Sequence, residues 1–385
     1  PDNLVWSLAE TPASKSWWFG TWTGLARYRE GRWRAYGPAD GMPDVPIFSL
    51  APDPREGPDA LWMGTRGYGL QLMKGERAVA YPGPPDDWIY SILIPARGPE
   101  RLWVGHRAGV SALVGGAWRS HGVAGGFRGS VVMSMLERLR PDGGSEIWCA
   151  TRGDGIGILD PRTGTWRWLG LEAGLPDLRT MHLEPSRRHP GSVWVSTMGG
   201  GIVRMDMASG RAVETLDREH VPDLPSDLAY TAREDASGRL FVFTHRGVAM
   251  LTRRPTGMWE GVVFTTGDGL PSNGCIQGAS RIDEAGRVWV GTVAGAAVLD
   301  PADLPGDHPP RKLWLEGAWS GSTPLDRSGG LKLDWRDTRL RLAYSLLSFH
   351  RGQDCQYRSQ MVGLEKEPTA WIRAGEREFP TLPGG

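Results

Sequence analysis

Three arginines recur directly behind short aromatic runs. Arg66 follows Thr65, Arg107 follows His106 and Arg152 follows Thr151, with Arg246 one place later behind Thr244. A guanidinium presents its donors in a fixed fork that matches a carboxylate or phosphate. Equivalent turns of a repeated fold lie on one face, so these four residues are expected to form a basic arc suited to an anionic ligand. Arginines outnumber lysines 39 to 5, and the same residues also read as solvated turn positions. His106 stands where a hydroxyl otherwise recurs, and an imidazole there can bind ligand or sense acid. Trp22 and Tyr68 occupy equivalent turns, where rings can stack on sugar faces. Most of the 19 tryptophans must nevertheless serve packing.

Other chemistries find little support. His182, His189 and His220 lack metal-ligand spacing, and Cys149, Cys275 and Cys355 fit neither a zinc pattern nor a disulfide framework. No metal and no cofactor are expected. The run Gly153-Asp154-Gly155-Ile156-Gly157 joins two strands and opens no helix, so it is not a dinucleotide fingerprint. Basic and acidic residues balance at 44 each, which supplies no field for nucleic acid. No stretch is long and apolar enough to span a bilayer, so a membrane link would need segments outside this chain.

The elements that position the arc come from a repeat. The lead aromatics Trp18, Trp62, Trp103, Trp148, Trp194, Phe241 and Trp289 are 44, 41, 45, 46, 47 and 48 residues apart. That period matches one four-stranded propeller blade. Each copy reads as an aromatic strand, a glycine turn and a second apolar strand. Gly191, Gly238 and Gly286 each stand three residues before the lead aromatic and predict a tight turn of positive φ. A fourth strand carries Trp33, Trp118, Trp166 or Trp259 and ends in Gly-Leu-Pro or a variant, as at Gly41-Met42-Pro43.

The residue two places after each lead aromatic is Gly, Ala or Ser, which admits the neighbouring sheet. Phe243 breaks that rule, so blade six is expected to pack differently. The fold class is therefore all-β: a seven-bladed propeller over residues 1–305, with repeats near 1–45, 46–87, 88–130, 131–178, 179–227, 228–273 and 274–305. Blade seven lacks an aromatic fourth strand. A segment preceding Pro1, or a local substitute, is expected to complete it. Residues 311–385 read as a partial immunoglobulin-like β-sandwich, with strands near 312–319, 330–334, 339–349 and 356–362.

The aromatic-x-Gly-Thr-x-x-Gly-Leu hairpin and the Gly-Leu-Pro loop resemble two-component regulator propeller repeats. The tail resembles the three-tyrosine domain that follows them, through Leu340-Arg341-Leu342, Tyr357-Arg358, Val362-Gly363-Leu364-Glu365, Trp371 and Leu382-Pro383-Gly384. His106, Phe241 and Phe379 depart from the pattern. The resemblance implies a periplasmic, non-catalytic sensor module of a bacterial receptor with a histidine kinase or similar output. It also implies a small-molecule or oligosaccharide ligand and a homodimer through the C-terminal sandwich. Two alternatives are a propeller enzyme of the streptogramin-lyase type and a protein-interaction propeller. The lyase would favour an acidic residue just after the aromatic strand, where this chain has Thr or His.

Overall fold

The computed structural model describes residues 2–11, 13–84, 86–303, 313–326, 333, 339–346, 355–380 and 382. The chain divides into two compact units, Pro1–Ala302 and Asp303–Gly385. In the first unit every repeat folds as an antiparallel sheet with strands in sequence order. Six sheets have four strands. The seventh, built from Cys275–Ile282, Val288–Thr292 and Gly295–Leu299, has three among the described residues. The first strands of successive sheets pack side by side, and Val5–Thr11 closes the ring against Cys275–Ile282. Seven inner strands therefore surround one channel.

The lead aromatics are buried between sheets, and their polar edge needs a partner there. The indole N–H donates to Thr11 Oγ1 from Trp18, to Asp53 Oδ2 from Trp62, to Glu146 Oε2 from Trp148, to Glu234 Oε2 from Trp194 and to Asp283 Oδ2 from Trp289. Arginines complete several of these pairs, as Arg55 does on Asp53 at 2.7 Å and Arg287 on Asp283 at 2.8 Å. The hairpin threonines have a separate task. Thr21, Thr65, Thr151, Thr197, Thr244 and Thr292 each donate to the carbonyl that closes their own turn.

Small residues admit the next blade as expected. A Cβ on Gly20 would stand 2.9 Å from Ile47 Cγ2, one on Gly64 2.7 Å from Ile89 Cγ2, and one on Gly105 2.7 Å from Val132 Cγ1. At Gly291 it would meet Val5 Cγ1 at 2.7 Å, which is the ring closure itself. Where the first partner grows to Ala150, Ser196 and Phe243, the residue opening the next inner strand becomes Thr180, Ala229 and Cys275. Blade six thus carries Phe243 fully buried before a small successor, and volume is conserved across the seam.

The turns follow the glycine signals. Gly191, Gly238 and Gly286 have φ of 86°, 79° and 84°. The Gly-Leu-Pro loop is more ordered than a plain loop: Pro38–Asp40 forms one 3-10 turn, and Gly41 ends it at φ 81°. Met42, Phe127 and Leu175, each following such a glycine, are buried beneath the adjoining sheet. On blade seven the outer strand Gly295–Leu299 leaves Val298 about half exposed.

In the second unit the described residues form one antiparallel sheet, ordered Thr323–Pro324, Leu313–Ser320, Leu340–Leu346, Glu376–Phe379. The strand expected at 330–334 lies outside the described residues except for Leu333. The strand expected at 356–362 does not form. There the Gln360 amide donates to the carbonyls of Glu365 and Lys366, and Met361 N–H donates to Glu365, so local bonds replace a ladder. Tyr357 keeps a single bridge, to Ile372. The fourth strand is Glu376–Phe379, whose charged sequence hid it. No helix among the described residues is long and apolar enough to cross a membrane.

Candidate ligand site at the channel mouth

A register break near the start of each inner strand shapes the channel. It falls between Val5 and Ser7, Ile47 and Ser49, Ile89 and Ser91, Val132 and Ser134, Thr180 and His182, and Ala229 and Thr231. A bulge turns its unpaired residue away from the ladder. The six residues so released are Trp6, Phe48, Tyr90, Met133, Met181 and Tyr230, and all six line a cavity of about 620 Å³. Blade seven breaks over a longer stretch, from Cys275 to Ser280. Its Gln277 amide reaches past blade six and donates to the Met181 carbonyl at 2.7 Å. Gly278, at φ 78°, lies beside the carbonyls of Trp6 and Phe48.

Blades one to three supply an aromatic wall. Phe48 stacks on Tyr90 at 5.0 Å and 13°, and Trp6 meets Phe48 edge-on at 5.1 Å. Trp6 lies 5.8 Å from Trp22, and Trp88 lies 6.2 Å from Tyr90. The Arg66 guanidinium sits between two of these rings, 5.4 Å from Trp22 and 4.6 Å from Trp88. Arg107 covers Trp88 at 4.7 Å and is held by Asp86 at 2.8 Å. Arg152 lines the cavity itself. Burial raises the pKa of Tyr90, while Arg107, Arg152 and Arg66 oppose that rise. Tyr230 is likewise raised by burial and opposed by Arg152.

The structure thus gathers Arg66, Arg107, Arg152 and Trp22 around one mouth. Of these only Arg152 is in the lining, while Arg66 and Arg107 stand against Trp88 and Trp22 against Trp6; Arg246 and Tyr68 are exposed and do not line the cavity. His106 is placed inside its blade, fully buried, with Nε2 bonded to Ser111 Oγ at 2.9 Å and Nδ1 accepting from the Ala108 N–H at 3.1 Å. Thr21, Thr244 and Thr292 accept the same turn N–H through their hydroxyls, so His106 takes over a threonine's local role. Burial holds its pKa below the usual histidine value, against the pull of Asp86.

Deeper in the channel the charged groups face counter-ions, although Arg281 Nε and His182 Nδ1 are buried without a hydrogen bond among the described residues. Arg233 meets Glu184 at 2.6 Å and donates to Ser280 Oγ at 3.3 Å, while Arg281 faces Glu10 at 3.9 Å. Burial raises the Glu184 pKa despite Arg233, and lowers that of Arg281. His182, also in the lining, is held far below the usual histidine pKa by burial and then by Arg233. No cluster of three or more His, Cys, Asp or Glu suited to a metal occurs among the described residues. The bulged residues escaped the sequence reading, although a signal exists. A large side chain precedes serine at Trp6-Ser7, Phe48-Ser49, Tyr90-Ser91 and Met133-Ser134.

No family model and no curated protein matches the chain. Solved structures do. The extracellular domain of BT3049 from B. thetaiotaomicron, described as a hybrid two-component system, superposes with a TM-score of 0.81 at 17% identity, over 99% of this chain and 52% of that one. The extracellular domain of BT4673 from the same organism, described as a one-component system, gives 0.59 at 15% identity, over 99% and 53%. Virginiamycin B lyase from Staphylococcus aureus gives 0.58 at 13% identity, over 77% of this chain and 94% of the lyase. The chain spans about half the length of the first two. The likeness is one of fold, and in the first two it runs through both units, whereas the lyase match is no longer than the propeller. The chain therefore has the fold seen in extracellular domains of two-component sensors, a propeller followed by a second all-β module.

Proposed function

We propose that this chain is an extracytoplasmic ligand-sensing part of a bacterial signal-transduction receptor and performs no catalysis itself. The observation that carries this reading is the superposition of both units, in order, on the BT3049 extracellular domain. The ligand is held at the channel mouth by the aromatic wall of Trp6, Phe48, Trp88 and Tyr90, with Arg66, Arg107 and Arg152 around it. Rings of this kind offer flat faces to sugars or other cyclic ligands, and a largely preformed concave site fits a small molecule. A periplasmic location, an oligosaccharide or other small ligand, and dimerisation through the second unit belong to the same reading.

The lyase fold match favours the enzyme alternative for the propeller alone. Its lining carboxylate, Glu184, is already engaged by Arg233, and burial holds the lining His182 far below the usual histidine pKa, which leaves a general acid or base poorly placed. A thermal-shift screen against neutral oligosaccharides, acidic sugars and small carboxylates tests the sensing reading. A ligand at about 100 times its Kd adds roughly 2.7 kcal/mol and shifts the melting point visibly. Unchanged ligand recovered after each positive incubation is the expected result, and turnover of a hit would overturn the non-catalytic assignment.

A further inference from the structure

The buried lining atoms without a hydrogen-bond partner among the described residues are Trp6 Nε1, Ser49 Oγ and His182 Nδ1, and of these the indole nitrogen can only donate. Among the three guanidiniums at the mouth, Arg107 is taken by Asp86 and Arg66 is sandwiched between Trp22 and Trp88. Arg152 makes no ion pair among the described residues, yet it is exposed and lines the cavity. Its backbone is fixed, since its N–H donates to the Val131 carbonyl at 3.0 Å. Of the carboxylates nearby, Asp87 acts on Arg107 and none among the described residues forms an ion pair with Arg152. Asp177 bonds Arg179 at 2.5 Å, Asp154 accepts from the Ser130 N–H at 3.2 Å, and Asp86 holds Arg107. A second donor is the Trp6 indole N–H, a buried atom without a partner among the described residues. An indole nitrogen cannot accept, so only an incoming acceptor can satisfy it.

Charge points the same way. The ionised side chains of the lining are Arg152, Arg233 and Glu184, and the last two cancel at 2.6 Å. One uncompensated guanidinium remains in the lining that it shares with Tyr90 and Tyr230. The flat Phe48 and Tyr90 pair stands on the adjoining wall.

We propose that the mouth cavity recognises a ring-bearing carboxylate, whose carboxylate seats on Arg152 and whose ring face lies on the aromatic wall. This rests on the ligand-sensing reading above and narrows its ligand class. Neutral rings stack on the wall and offer the two donors only uncharged acceptors, so they bind more weakly.

The test uses the full 385-residue chain. Thermal shift and calorimetry are run with oligogalacturonates and aryl carboxylates, each paired with its methyl ester, and with neutral oligosaccharides. Binding confined to the free acids is expected, weakened by added salt and reduced about tenfold or more in Arg152→Gln. Arg246→Gln, on an exposed turn outside the cavity, leaves binding unchanged, and neither substitution shifts the melting point of the unliganded chain. Hits that tolerate esterification and Arg152→Gln would overturn the carboxylate while leaving ligand sensing in place. Silence across acids, esters and neutral sugars would remove both.

Discussion

The two ends of the channel use the same inner strands for opposite purposes. Near the mouth, bulges release large aromatic and methionine side chains, and donors such as Arg152 and the Trp6 indole stand without partners. Further along the same strands, Glu184 of blade five pairs with Arg233 of blade six, and Arg281 of blade seven faces Glu10 of blade one at 3.9 Å with its Nε lacking a hydrogen bond among the described residues. Arginine is plentiful at both ends, so composition does not separate a site from a strut. Pairing does. A buried charge with its counter-ion holds neighbouring blades in register, whereas an unpaired donor facing a cavity costs stability and is retained where a ligand completes it.

The sharpest way to break this comparison is to unpair the deep end. Glu184→Ala leaves Arg233 and the already crowded Arg281 facing each other in a site of low polarity. A loss of about 3 kcal/mol is expected in urea unfolding. The double replacement Glu184→Leu with Arg233→Met should recover most of it, because a well-packed apolar pair is close to neutral in such a place. If the single change costs less than about 0.5 kcal/mol, the deep ions are not structural and the contrast with the mouth fails.

A pH series sharpens the same contrast at an intermediate scale. The folded pKa of His182 lies far below the usual histidine value, first through burial and then through Arg233. Below about pH 6.5 the unfolded chain binds a proton that the folded chain refuses. Stability therefore falls as the pH drops through that region, by up to about 1.4 kcal/mol per pH unit for this one group. His106, His121 and His189 are also lowered by burial and add to the slope. Glu184 opposes it at lower pH, because its raised pKa lets the folded chain take a proton before the unfolded one does. Unfolding of His182→Gln between about pH 7 and 5.5 should show a shallower decline than the parent. An identical slope would mean that His182 is not held neutral.

Which parts were legible follows from what each residue must satisfy. The lead aromatics were legible because every blade needs one ring at one depth, and the small residue behind it because Ile47, Ile89, Val132 and Val5 press on that spot. Arg66, Arg107 and Arg152 were legible as members of one turn column. Trp6, Phe48 and Tyr90 were not, because strict alternation along a strand gives no warning of a bulge, and the bulge decides which side chains enter the channel. The deep pairs join residues such as Glu184 and Arg233 that are one blade apart, a relation visible only once the ring is closed. His106 misled for a simpler reason: a change of residue type at a repeated position looks functional, while its imidazole fills the hydrogen-bonding role of the threonine it replaces.

The smallest expected effect on stability is the most informative about the mouth. Arg66→Ala removes a guanidinium packed between Trp22 and Trp88, and two exposed cation–π contacts of this kind are worth about 1 kcal/mol together. Arg152→Ala removes a guanidinium with no ion pair among the described residues and should change stability by no more than about 0.5 kcal/mol. The two variants then exchange rank when ligand affinity is read: Arg152→Ala weakens a bound acid more than Arg66→Ala does, because Arg152 lines the cavity while Arg66 is held between Trp22 and Trp88 outside the lining. Equal losses of affinity would show that the mouth attracts ligand through its summed charge. A larger loss for Arg66→Ala would transfer the anion contact to the aromatic sandwich. In either case an unpaired guanidinium in the cavity lining would no longer mark the residue that meets the ligand.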